Sequence, residues 1–169
     1  MRSPNATSTT LRLADVFVPD LVSIGVHARG RDGVIGELVH RLVSAGRIDA
    51  SDEPSLVQMV LAREQMGATA LGNGIAFPHC RSNLTETFLG TIAIEPEGMD
   101  FHALDRQPVH VVFLLVGPLD RREQHFDLLG RIVAIGKDKR VRLQLGGCGT
   151  PDEVIRVLEE VDGGSARMS

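Results

Sequence analysis

Apolar and polar positions recur with different periods along this chain, and each change of period marks an element. Val22 to Val26 is short and β-branched and predicts a strand; Val34, Leu38, Leu42 and Val43 then follow helical spacing up to Gly46, a natural stop. Ser51, Asp52, Glu53 and Pro54 mark a second helix start. Leu56, Met59, Val60 and Arg63 lie along one face of that helix, so Arg63 prolongs an apolar stripe. From Ala68 the period shortens. Ala68 to Leu71 and Ile75 to Phe77 read as two extended runs joined by Gly72-Asn73-Gly74, a hairpin whose turn tolerates positive φ. Pro78 ends the second run because it donates nothing to a ladder, which puts His79 at a strand end.

Phe88 to Ile94 and Val109 to Val116 are the strongest strand candidates, the second apolar enough on both faces to be a covered central strand. Asp120 has a glutamate three positions on and reads as the N-cap of a helix whose apolar face is Leu128, Leu129, Ile132 and Val133, with His125 on that face. A last helix is predicted from Pro151 to Val161, burying Val154, Ile155, Val157 and Leu158. Alternation of helices and strands predicts an α/β fold. The hairpin makes its sheet mixed, parallel and antiparallel, flanked by helices on both faces. Small, turn-prone ends predict flexible tails at 1–12 and 163–169 around one domain at 13–162.

Composition narrows the partners. A net charge of −4, with Lys/Arg pairs interrupted by acids and apolar residues, gives no general attraction to a phosphate backbone, so nucleic acid is not an expected partner. The longest apolar stretch falls far short of the about 20 residues that span a bilayer, and the N-terminus lacks an apolar leader. Cys80 and Cys148 form no CxxC pair and are too few for a disulfide framework, which with the missing leader predicts a cytoplasmic protein.

Three features then converge on one site. His79 sits where ligands bind in α/β sheets, beyond a strand end. His125 lies in the first turns of a helix, where backbone N–H groups and the macrodipole favour an anion and disfavour an imidazolium. Arg63 offers a fixed fork of donors suited to phosphate oxygens, and Thr69 is a further candidate donor. Two neutral imidazoles, an arginine and a helix N-terminus suit a phosphoryl group, whose transfer needs chiefly positioning and charge stabilisation. That chemistry calls for neither a metal nor a cofactor, and no carboxylate cluster stands ready to hold a metal.

The run Ala68-Thr69-Ala70-Leu71-Gly72-Asn73-Gly74-Ile75-Ala76-Phe77-Pro78-His79 resembles the active-site signature of enzyme IIA of the bacterial phosphoenolpyruvate-dependent sugar phosphotransferase system, in its fructose/mannitol and nitrogen-regulatory branch. Arg63-Glu64 upstream and His125 downstream match the Arg-Glu pair and second histidine of that family, and the likeness runs from about Ala14 to Val161. It implies that His79 is phosphorylated, with His125 stabilising the phosphate and Arg63 clamping it. It implies the histidine phosphocarrier protein as donor and, as acceptor, a sugar-transporter enzyme IIB subunit or a regulatory target. No further domain follows residue 161, which inclines the expectation toward the regulatory form. Cys80 departs from the small residue usual after the histidine and is read as an apolar filler. Two other readings compete: a regulatory binding module of the same fold that has lost phosphorylation, and a zinc site drawn from His79, Cys80, His125 and Cys148.

Overall fold

Val109–Pro118 is apolar on both faces because it lies inside the sheet, as strand β5 of the computed structural model, which describes residues 10–166. Strand β4, Leu89–Met99, pairs with it antiparallel, with Ile92 beside Phe113 and Ala93 beside Val112. Beyond β4 runs β1, Val22–Ile24, parallel to it. The opposite side of β5 carries β2, Ile75–Ala76, and β3, His79–Ser82, both parallel to β5. The sheet is thus mixed, as predicted, but through the antiparallel β4–β5 pair rather than a hairpin at 72–74.

Successive β5 side chains enter two separate cores. Val111, Phe113 and Leu115 meet α1 (Leu13–Val16), α4 (Arg122–Lys137), α5 (Lys139–Gly146) and α6 (Pro151–Ala166). Val112, Leu114 and Val116 meet α2 (Arg31–Ser44) and α3 (Glu53–Met66). Phe113, Leu114 and Leu115 are fully buried, each stabilising the fold by about 1.5–3 kcal/mol relative to exposure. Helices therefore cover both faces.

Several local expectations give way. Ala68–Leu71 forms no strand; the glycine turn makes one isolated bridge, Gly72 to Ile75, instead of a hairpin. Pro78 does not end the chain's passage along the sheet. Ile75 pairs with Val111 and His79 with Leu115 in one unbroken register, and Pro78 still lends its carbonyl to Leu115 N at 3.1 Å. Only the N–H that proline lacks is missing, and that gap divides β2 from β3. This is an edge strand, where the loss of one ladder bond is tolerated, so His79 opens β3 rather than following a strand end.

Helix α3 starts at Glu53 after a 3₁₀ turn, Ala50–Asp52, with no side-chain cap from Ser51. Helix α4 is capped by the Arg121 backbone, with no side-chain bond, so Asp120 does not close a capping box. Helix α5 was not predicted; Asp138 caps it, accepting from Arg140 N at 3.0 Å and Val141 N at 3.3 Å. Of the expected tails, 1–9 and 167–169 lie outside the described residues. Leu11 packs on the α4 core, and α6 runs to Ala166.

Candidate functional site

Cys80 points with Val116 into the α2/α3 core, so alternation turns its neighbour His79 toward α4. There His79 is 7% exposed, with Nδ1 2.8 Å from the Phe77 carbonyl oxygen. A carbonyl only accepts, so Nδ1–H donates, and the neutral ring keeps its free lone pair on Nε2. The Phe77 ring lies near-parallel to the imidazole at 6.1 Å. Burial lowers the His79 pKa below its ordinary 6.5; the Phe77 carbonyl opposes this, Arg63 adds to it and Glu64 opposes it. The net effect favours a neutral ring.

His125 is in the first turn of α4, its N–H making the helix's opening bond to Arg121 O at 3.1 Å. Its ring centroid is 5.6 Å from that of His79, tilted by 55°, and 6.2 Å from Phe88. Gly117 makes room for it: a Cβ there would stand 2.4 Å from His125 Nδ1 and 2.8 Å from Phe88 Cε1. His125 is 2% exposed, and its buried Nδ1 has no hydrogen-bond partner among the described residues. Burial, then His79, then Arg81 push its pKa down to about 4. Two neutral rings therefore face one another.

The buried stripe of α3 is Leu56, Val60 and Glu64, not a line through Arg63. Arg63 flanks it, half-buried, donating from Nη1 to Gly67 O at 3.1 Å near the helix C-terminus. Glu64 accepts from Thr69 N at 3.0 Å and from the Thr69 hydroxyl at 2.8 Å. Thr69 thus spends its hydroxyl hydrogen on Glu64, tying the turn after α3 to that helix. Residue patterning gives no site role to Arg81, Phe88 or Gly117, and Glu64 enters only through the family's Arg-Glu pair. Glu64 was legible as the i+4 successor of Val60, and Arg81 as the alternate neighbour of His79 on a strand taken to have ended.

The four residues weighed as a zinc set are not assembled. Cys80 lies on the other face of the sheet, its thiol pushed by burial up to about 12. The Cys148 thiol donates to Gln144 O at 3.1 Å at the end of α5. Among the described residues no group of three or more histidine, cysteine or acidic side chains gathers as a metal site, and no helix is long and apolar enough to cross a membrane. His27, His40 and His102 are exposed, and His110 Nδ1 donates to Glu95 O at 3.0 Å. Beside the histidine pair, Phe126 stands 53% exposed with the Arg122 guanidinium 5.3 Å from its ring centre, and Leu119 is exposed too.

The model of the family "Phosphoenolpyruvate-dependent sugar phosphotransferase system, EIIA 2" matches residues 15–161. A nitrogen regulatory protein of Pseudomonas aeruginosa is 28% identical over 154 residues, which cover 91% of this chain and 99% of that protein. The nitrogen regulatory protein IIA-Ntr of Neisseria meningitidis superposes with a TM-score of 0.78 at 22% identity, over 86% of this chain and 97% of that one. The enzyme IIA of Escherichia coli solved in complex with phosphorylated enzyme IIB of the mannitol system gives a TM-score of 0.71 at 21% identity, over 86% and 99%.

Proposed function

Since the chain belongs to the EIIA 2 family of the phosphoenolpyruvate-dependent sugar phosphotransferase system, we propose that it is a carrier that takes a phosphoryl group onto Nε2 of His79 and hands it on. The observation that carries this reading is the fixed tautomer of His79, whose Nδ1–H is spent on the Phe77 carbonyl while Nε2 stays free beside His125.

The Nε2 lone pair attacks the phosphorus of an incoming phosphohistidine. The new N–P bond forms as the old one breaks, and the donor imidazole, already protonated on its other ring nitrogen, leaves with the bonding pair as a neutral ring while His79 keeps its Nδ1–H. His125 stabilises the bound group. Its partnerless Nδ1 costs least as an acceptor, which places the ring proton on Nε2, a neutral donor for a phosphoryl oxygen. Arg63 supplies positive charge from the α3 side, and the N–H groups at the start of α4, free of a side-chain cap, add the helix dipole. Thr69 and Glu64 hold the turn that leads from Arg63 toward the active strand.

The donor on this reading is the cytoplasmic histidine phosphocarrier protein. The acceptor is a sugar-transporter enzyme IIB, supported by the IIA–IIB complex of the mannitol system, or a regulatory target, supported by the nitrogen regulatory relative matched over nearly its whole length. Keeping both histidines and the arginine at one site argues against a binding module that has lost phosphorylation. Incubation with phosphoenolpyruvate and the general phosphotransfer proteins is expected to give an acid-labile adduct on the wild type and none on His79→Ala. A full adduct on the variant would overturn the assignment.

A further inference from the structure

Arg81 lies outside the set that the sequence pattern singled out, yet the sheet brings it to the histidine pair. In the β3–β5 ladder Arg81 pairs with Gly117, two residues beyond the pairing of His79 with Leu115, so Arg81 and Gly117 face α4 as His79 does. Side chains paired in this way start about 5 Å apart. Gly117 contributes none, and the space its Cβ would fill is taken by His125, whose Nδ1 lies 2.4 Å from that position. The cross-strand neighbour of the Arg81 side chain is therefore the His125 imidazole. Arg81 is also held in place, donating from Nη1 to Leu119 O at 3.0 Å on the connection that leads into α4. One residue thus ties the active strand to the segment presenting His125.

Resting on the phosphoryl-carrier reading, we propose that Arg81 is the second arginine of the site, placing its charge beside His125 to stabilise, with Arg63, the phosphoryl group on His79. The two arginines come from different elements, Arg63 from the end of α3 and Arg81 from β3, and each is anchored through one guanidinium nitrogen to a backbone carbonyl. The remaining guanidinium N–H groups stay available to an incoming anion. The depressed pKa of His125 agrees, since Arg81 is among its causes.

Two variants and two readouts test this. Arg81→Gln removes the charge and keeps a donor for Leu119 O; Arg81→Lys keeps the charge. In an NMR pH titration of the imidazoles, the His125 midpoint is expected to rise in Arg81→Gln and to return toward about 4 in Arg81→Lys. Phosphoryl transfer to His79 is expected to slow about tenfold in Arg81→Gln, equivalent to about 1.4 kcal/mol, with partial recovery in Arg81→Lys. An unmoved midpoint, or a transfer rate equal to wild type, in Arg81→Gln overturns the proposal. A wild type that accepts no phosphoryl group would instead overturn the carrier reading. The titration, which needs no phosphoryl donor, keeps the two failures apart.

Discussion

Keeping His125 neutral inside the fold should make stability fall with acid in a window set by that one ring. Its folded pKa is about 4 against an ordinary 6.5, so between those values the unfolded chain binds a proton that the folded chain does not. More protons bound in the unfolded state means that stability rises with pH across the window. The contribution is intact above 6.5 and falls as pH drops, with a total loss of about 3 kcal/mol once the folded ring protonates near pH 4. Between about pH 7 and about pH 5 the loss is about 2 kcal/mol, or about 1 M in a urea midpoint for a slope near 2 kcal/mol per M. His79, also lowered, adds to the loss in wild type. Glu95, held below its ordinary 4.5 by the Val26 and Glu97 N–H groups and by Arg29 against the cost of burial, loses its contribution only below that value, outside the interval between about pH 5 and about pH 7. Urea unfolding of wild type and His125→Gln at both pH values reports on the histidine pair, because the titrations of residues away from it are common to both chains. The variant starts less stable, but its drop between the two pH values is expected to be smaller than that of wild type by about 2 kcal/mol. Equal drops would show that His125 protonates in the fold as readily as in water, and the account of a desolvated, neutral partner ring would fail.

Two further substitutions probe how the site is assembled. Gly117→Ala drives a methyl into His125 and Phe88, which must shift; a cost of about 1–3 kcal/mol in thermal or urea unfolding is expected, together with slower phosphorylation of His79. Wild-type stability and rate would mean that the ring is not seated over Gly117. Thr69→Val keeps shape but removes the hydroxyl that Glu64 accepts at 2.8 Å, leaving a buried carboxylate one donor short, and is expected to cost about 1–3 kcal/mol in the same assay. A change under about 0.5 kcal/mol would show that Glu64 does not depend on that bond.

Most of the scaffold could be read from periodicity because its elements bury regular faces. Leu38 and Leu42 of α2, Leu128 and Ile132 of α4, and both faces of β5 fall where the apolar pattern places them. The short elements escaped for physical reasons. Helix α1 is held by a distant residue, with Leu13 N and Ala14 N donating to the Asp162 carboxylate at 2.9 and 3.1 Å, a cap that no local pattern contains. Helix α5 carried a readable cap in Asp138, but only a short apolar stripe, Val141 and Leu145.

At the site the misreading of Pro78 had the larger consequence. Taken as a stop, it ended the alternation at the residue that mattered; taken as an edge-strand interruption, it lets the alternation continue through His79, Cys80 and Arg81. That continuation sends Cys80 to the far core and Arg81 to the histidines. It also gives Gly117 a role as the absence of a side chain opposite Arg81, into which His125 fits. Patterning could single out both histidines and Arg63 separately as candidates, since each carries a chemical signal of its own. It could not supply the pairing of one strand with another, and that pairing decides which charge faces which ring.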